Sequence, residues 1–576
     1  MKLRSPLLAQ SFTARQIWPV GIDLALFAMF IAGAYGVAEL ARYWWGTAVP
    51  AAHISQSPWA LPLYAFYSLA RMFAAYLLSL VFAVVYGYIA AKRKQAEPVL
   101  IAILDILQSI PVLSFLPGVM LAMISLFPSR QLGIELGSII LIFTGQVWNM
   151  AFSFYSSMKS IPRELYEVTS IYGYNAWQRF IQLELPYGAI GLLWNSMVSV
   201  AGGWFFLMAC EMFALGSRDF RLPGLGSYLQ TAASAGDIGA ICWGLAAMIA
   251  IIVLIDQLIW RPLIAWSDKF KFEQVETLGH DANPVLKLIR SSRLAALAGS
   301  TIRSVSVRVQ TRLLKPGKTR AEDSPRASHR AGIYVAIVIA LLLAGFAVTR
   351  TIFLLAAIPA SEWQMTLERA GFTFLRVNTA LLIAAAWTIP AGVAIGFNPK
   401  LARLAQPLAQ IAASVPATAL FPVLLLALIQ AGGGMGIASI LLMLLGTQWY
   451  ILFNVIAGAM AIPSEFREVG SVFGFSRRQQ WRTIILPGIF PYLVTGLITA
   501  SGGAWNASIV AEYFHLKGQT FATEGLGAQI SAATDAGKFD LLLLSTIVMA
   551  AIVVSINRLV WRRLYRVSEA RYRLEA

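Results

Sequence analysis

The sequence predicts an all-α integral membrane protein of twelve transmembrane helices, built as two tandem parallel six-helix repeats. Composition, the spacing of apolar runs and an internal repeat carry that prediction. Of 576 residues, 58% are hydrophobic and only 13% charged. That leaves too little polar side chain to cover a water-soluble surface, so apolar residues must face lipid. A span needs about 20 mostly apolar residues. Twelve stretches supply them, near 17–41, 61–91, 99–127, 133–158, 187–215, 237–265, 332–358, 372–396, 404–430, 435–460, 488–512 and 539–565.

The first stretch follows a basic N-terminus, but it has span length and lacks a small-residue cleavage site. It therefore reads as a retained helix. The formal net charge of +17 points to membrane orientation rather than to nucleic acid, because Lys and Arg concentrate in alternate loops. Lys2, Arg4 and Arg15 precede the first span, Lys92, Arg93 and Lys94 follow the second, and Lys159, Arg163 and Arg179 follow the fourth. The loops between hold few, namely Arg42, Arg130, Arg218 and Arg221. This bias places both termini in the cytoplasm. Cys210 and Cys242 lie in or beside apolar runs without a CxxC partner and read as packing residues.

The repeat sets the architecture. IPRELYEVTSIYGYNAWQRFIQLELP at 161–186 aligns with IPSEFREVGSVFGFSRRQQWRTIILP at 462–487, an offset of 301. Trp148 and Trp449, Glu211 and Glu512, and Gly224-Leu225-Gly226 and Gly525-Leu526-Gly527 share that offset. Ser109-Ile110-Pro111 with Pro117 matches Ser414-Val415-Pro416 with Pro422 at 305. Six spans is an even number, so both copies enter the membrane in the same orientation. The expected organisation is a first domain at 1–268, a linker at 269–331 and a second domain at 332–576. The linker carries 13 Lys or Arg against 5 Asp or Glu, which suits a cytoplasmic tether or a segment lying on an anionic leaflet.

Between spans four and five each half shows one pattern. Glu167-Val168-Thr169 is followed after three residues by Gly173, and after nine more by Leu183-Glu184-Leu185-Pro186. The second copy reads Glu468-Val469-Gly470, Gly474, then Ile484-Ile485-Leu486-Pro487. These residues predict two short helices bent at a glycine, where backbone freedom is needed, and a proline opening the next span, where a missing N–H costs little.

The pattern closely resembles the signature of binding-protein-dependent ABC importer permeases, and the resemblance covers roughly 60–268 and 367–576. The departures are Val168, Thr169, Val469 and Gly470 in place of the two alanines, and Leu183 in place of an isoleucine. An arginine early in the second span of each half (Arg71, Arg376), the Ser-Ile/Val-Pro turn and the outer Gly-Leu-Gly look like the permeases for nitrate, sulfonate, taurine and bicarbonate. Those are usually single six-span chains acting as homodimers, whereas here the dimer is fused.

The resemblance implies an importer subunit for a small, anionic solute that is not itself an enzyme. Glu167, Gly173, Leu185, Pro186, Glu468, Gly474, Leu486 and Pro487 would belong to loops that dock two ABC ATPase subunits. A periplasmic or surface-tethered binding protein would deliver the solute. ATP and Mg would be used by the partners, and this chain would bind no cofactor. Alternatives are a permease for another substrate such as ferric iron, or a secondary transporter needing no ATPase. The Gly-Leu-Gly loops argue against the first and the two docking loops against the second.

Charges inside spans are costly unless they are partnered. For Arg71, Arg376, Glu211 and Glu512 two readings stand. Either Arg pairs with Glu, or Glu accepts from the Gly-Leu-Gly backbone, to fix structure; or the arginines attract an anion to the pathway. Trp204, Trp505 and Asn506 lie beside glycines, where solute and backbone approach closely, and they join the pathway set; Asn506 stands in register with Phe205. Gly317-Lys318-Thr319 is no phosphate-binding loop, since Arg312 occupies the required glycine position. His53, His280, His329 and His515 show no metal-ligand spacing. His515, one turn beyond Glu512, is placed to bond it.

Overall fold

The computed structural model describes residues 53–128, 131–215, 218–267, 348–516 and 519–571, with isolated positions at 36–46 and 342–346. In chain order the helices of the first half are α1 (Leu61–Lys92), α2 (Glu97–Ser109), α3 (Leu116–Leu126), α4 (Leu132–Ser160), α5 (Arg163–Ile171), α6 (Ala176–Arg179) and α7 (Leu185–Glu211). Strands β1 (Ala214–Leu215) and β2 (Arg218–Asp219) lead to α8 (Leu225–Ala235), α9 (Ile238–Ile255) and α10 (Arg261–Ser267). The second half repeats this order as α11 (Ala360–Phe397), α12 (Pro399–Ser414), α13 (Ala417–Gln430), α14 (Met435–Ala461), α15 (Ser464–Val472), α16 (Arg477–Gln480) and α17 (Leu486–Ala511). It closes with β3 (Tyr513–Leu516), β4 (Gln519–Ala522), α18 (Leu526–Asp535), α19 (Phe539–Ile556) and α20 (Arg562–Arg571).

Among the described residues eight helices are long and apolar enough to cross a membrane, and the number is ten if each of two bent pairs counts as one span. These ten correspond to ten of the twelve predicted stretches. Of the stretch at 17–41 only positions 36 and 39 are described, and of that at 332–358 only 342, 345, 346 and 348–358; the 269–331 linker and Arg130 lie outside the described residues. The bent pairs differ from simple spans. In the first half α2 meets a short turn and α3 at 83°, and in the second α12 meets α13 at 84°. The cause is local: a proline disfavours helix at the residue before it, and Ile110 and Val415, preceding Pro111 and Pro416, are both extended.

The described residues fall in two compact units. The smaller holds the described positions at 36–46 with 157–194 and 254–267, and so contains the first inter-span loop; the larger holds 53–156, 195–253 and the described residues from 342 onward. Inside the larger unit small residues let helices approach. A Cβ at Gly392 would press on Val455, one at Gly396 on Ala459, and one at Gly496 on Ile451 and Asn454, so α14 lies close to both α11 and α17. The halves also meet here. Thr546 donates to the Ser114 carbonyl at 3.1 Å, and Arg562 pairs with Asp105 at 3.2 Å.

Four π turns, Phe180–Glu184, Asp256–Trp260, Trp481–Ile485 and Asn557–Trp561, fall in register between the repeats. Two of them lead directly into α7 and α17. Such turns are rare and are frequently found at functional sites.

Candidate functional site

Each inter-span loop has the predicted build. In the smaller unit α5 ends in a left-handed glycine, with Gly173 at φ 67°. The Tyr174 N–H bonds the Thr169 carbonyl at 3.0 Å and the Gly173 N–H bonds that of Ser170 at 3.0 Å, the paired bonds that close a helix C-terminus. Asn175 then caps α6 reciprocally with Gln178. In the larger unit Gly474 has φ 65°, Phe475 N–H bonds the Gly470 carbonyl at 2.9 Å, and Ser476 caps α16 with Gln479.

Apolar side chains are exposed at both tips. Ile171 and Tyr172 are 83% and 73% exposed, and Val472 and Phe473, their counterparts at offset 301, are 81% and 72% exposed. Leu185 and Pro186 open α7, and Leu486 and Pro487 open α17, while Glu167 and Glu468 lie on α5 and α15 and are exposed. The small residue at the third motif position has a steric reason. A Cβ at Gly470 would come within 2.9 Å of the Ile484 side chain, where α15 rests on the turn that leads into α17.

At the opposite end of the fifth span, next to the hairpins, the buried charges are partnered. Arg71 and Glu211 are both fully buried. Arg71 grips Glu135 with two bonds, at 2.6 and 2.7 Å, and reaches Glu211 at 2.8 Å and the Pro223 carbonyl at 2.9 Å. Glu211 also accepts from Ser68 at 2.6 Å and from the Gly226 N–H at 2.7 Å. In the second half Arg376 bonds Glu512 at 2.9 Å, the Glu524 carbonyl at 2.6 Å and Thr523 at 2.9 Å. Thr373 and the Gly527 N–H donate to Glu512 at 2.9 Å. Both structural readings of these charges therefore hold together: the pairs form, and the carboxylates also hold the Gly-Leu-Gly backbone.

The glycines are required by this contact. A Cβ at Gly224 would overlap the Glu211 carboxylate and one at Gly525 the Glu512 carboxylate. Gly525→Ala is accordingly expected to destabilise the fold by about 2 kcal/mol through overpacking, read as a lower thermal midpoint in detergent; an unchanged midpoint would show that the loop has room to shift.

Four side-chain partners escaped the sequence reading. Ser68 and Thr373 each stand three residues before the arginine in register, so that repeated hydroxyl was a usable signal. Glu135 was hidden, because its counterpart at offset 301 is Gly436, and Thr523 takes up the vacated guanidinium nitrogen. His515 does not bond Glu512. It bonds Asp535 at 2.9 Å and Thr520 at 3.0 Å, because residues 513–516 form a strand and the helical spacing to Glu512 is lost. In the same hairpin, burial together with a hydrogen bond to Asp535 pushes the Tyr513 phenol up to about 12.

Of the pathway set, Arg71, Glu211 and Glu512 are sealed, and Arg376 is 15% exposed at its side chain. Trp204 and Trp505 are 2% and 1% exposed and present no open face. Asn506 is half-buried on α17.

The family described as binding-protein-dependent transport system inner membrane component matches residues 83–259 and again 388–574. The chain is 29% identical over 185 residues to the nitrate import permease protein NrtB of Leptolyngbya laminosa, covering 32% of this chain and 63% of that one. It is 32% identical over 137 residues to the bicarbonate transport system permease protein CmpB of Synechococcus elongatus, covering 24% and 48%. It is 28% identical over 194 residues to the taurine transport system permease protein TauC of Escherichia coli, covering 34% and 65%. Each match spans between about half and two thirds of the relative's length.

Proposed function

The chain belongs to the binding-protein-dependent transport system inner membrane family, carrying its domain twice, and from that premise we propose that it forms the whole translocation pathway of an ATP-driven importer. The solute is a small anion of the kind named for its relatives: nitrate, bicarbonate, taurine or another sulfonate. Two ABC ATPase subunits dock on the loops at 161–186 and 462–487. Their closure on ATP moves α5 and α15, and the helices entering the fifth spans carry that movement into the pathway. A periplasmic or surface-tethered protein brings the solute to the hairpin side, while both termini and the 269–331 linker stay cytoplasmic. The permease supplies no catalytic residue; ATP and Mg belong to the partners.

The observation that carries this reading is the pair of solvent-exposed apolar tips, Ile171-Tyr172 and Val472-Phe473, each set on a glycine-capped helix. Exposed apolar clusters on otherwise polar surfaces mark partner contacts, and here the cluster is built twice in register.

Because one chain holds both permease domains, one copy should purify with two ATPase subunits, and the complex in vesicles should take up solute only with ATP. Native mass spectrometry and vesicle uptake measure the two points. A complex with two copies of this chain per two ATPases, or uptake indifferent to ATP, would overturn the proposal.

A further inference from the structure

The fifth spans of the two halves face the same region but are not chemically alike. On α17 the half-exposed Gly502 looks onto open space, since an added Cβ would meet nothing within 4 Å. Thr499, Gly502 and Asn506 follow one another at helical spacing along that face. The face is turned toward the first half, because the Asn506 side-chain carbonyl accepts from the Leu113 N–H at 3.5 Å. The counterparts at offset 301 on α7 are Val198, Ala201 and Phe205, and Val198 is 44% exposed. A hydroxyl and an amide on one helix thus correspond to an isopropyl group and a phenyl ring on the other.

Tyr450 adds to the polar side. Its ring lies 3.4 Å from the Cβ position of Gly503, and its hydroxyl 3.7 Å from that of Gly202 on α7, so the phenol stands between the two fifth spans. Among the described residues that hydroxyl has no hydrogen-bond partner. Its register counterpart in the first half is Asn149. Asn506 spends one amide N–H on the Gly502 carbonyl, at 3.1 Å, and keeps a second to offer. The two intramembrane arginines are committed elsewhere, Arg71 to Glu135 and Glu211 and Arg376 to Glu512.

We propose that the pathway has one head-group wall, with Tyr450 and Asn506 as its donors, and one apolar wall, with Phe205 and Val198. The transported solute is accordingly an anion bearing an apolar arm, not a bare inorganic oxoanion. The proposal deepens the importer reading by narrowing its solutes to the sulfonate-like ones, and rests on it for the anionic charge and the direction of transport. The physical reason is desolvation. A bare oxoanion crossing between these walls would find donors on one side and leave its other oxygens uncompensated against Phe205 and Val198. An apolar arm on that side replaces lost hydration with buried apolar contact. Neutral donors also let the solute leave, where a fixed cation would hold it.

Gly502→Cys is the reporter, because the space beside it is empty, in a full-length chain with Cys210 and Cys242 changed to Ala. The reconstituted permease is labelled with an anionic, membrane-impermeant methanethiosulfonate reagent, in the presence of methanesulfonate or hexanesulfonate at equal millimolar concentration. Hexanesulfonate should slow labelling by about fivefold or more, and methanesulfonate by less than about twofold. Tyr450→Phe and Asn506→Ala should each remove that protection, and Phe205→Asn should remove the preference for the longer arm. A reporter that does not label, equal protection by both probes, or protection that survives Tyr450→Phe and Asn506→Ala together would overturn the proposal. Labelling needs neither ATP nor a binding protein, so any of these results leaves the importer reading standing. Conversely, the expected labelling without ATP-dependent uptake would sink only the importer reading.

Discussion

Gly173→Asp combined with Gly474→Asp is expected to abolish ATP-driven uptake while the chain still inserts at normal levels. Both glycines have left-handed φ values, 67° and 65°, and a Cβ at either would meet nothing within 4 Å. The substitution therefore costs backbone strain of about 1 kcal/mol at each site, small against the stability of a packed membrane domain, and creates no clash. The functional cost comes from the surface. A carboxylate would stand beside the exposed Tyr172 or Phe473, and strain at the turn would rotate α5 or α15 against the helix that follows. Transport and solute-stimulated ATP hydrolysis should both fall to background, while basal hydrolysis by the ATPase subunits persists. The second copy should be the more sensitive. Its Ile484 to Pro487 keeps the family pattern, and Gly470 leaves only enough room for the Ile484 side chain. Uptake and ATPase rates in vesicles for each single variant and the double variant measure this. Normal uptake by the double variant would mean that these loops do not receive the ATPases.

Much of this fold could be read before any coordinates, because lipid imposes length and apolarity on each span, and duplication turned isolated matches into a register. The glycine bends were legible for a related reason: a residue without a Cβ, kept at the same place in both loops, has few uses other than a left-handed turn. The bends of 83° and 84° in the third spans were harder to see. Pro111 and Pro416 announce an interruption, but the angle depends on how α2 and α12 pack, which no local pattern contains. Glu135 was illegible for the opposite reason. Comparison of the repeats draws attention to what both halves share, and Glu135 faces a glycine in the other half. The same comparison, read for difference, exposes Phe205 against Asn506 and Asn149 against Tyr450, which is where the halves have taken separate roles.

Arg71→Ala is expected to be the most destabilising of the substitutions in the buried charge clusters, and the reason lies in the inequality between the two clusters. Arg71 serves two fully buried carboxylates, Glu135 and Glu211, whereas Arg376 serves one, Glu512, and is itself partly exposed. Removing a partner from a buried pair costs about 3–5 kcal/mol, because the charge left behind is uncompensated. Domain stabilities are commonly only about 5–15 kcal/mol, so Arg71→Ala should remove a large share of the margin and lower the thermal midpoint more than any other substitution in the clusters. Glu211 would keep Ser68 and the Gly226 N–H; Glu135 would lose both bonds it receives from the guanidinium. Arg376→Ala should cost less, about 2 kcal/mol, since Thr373 and the N–H groups of Gly527 and Ala528 still hold Glu512. Glu135→Gln should cost only about 1 kcal/mol, because a side-chain carbonyl still accepts from Arg71 and the remaining charges then match those of the second cluster. Adding Glu135→Gln to Arg71→Ala should therefore recover part of the loss, the non-additivity expected of groups in one network. Thermal midpoints from fluorescence-detected size exclusion in detergent rank the variants. If Arg71→Ala proved as stable as the parent, or gained nothing from Glu135→Gln, the carboxylates would have to be neutral in the folded protein, and the cluster would be a hydrogen-bonded plug rather than an ion pair.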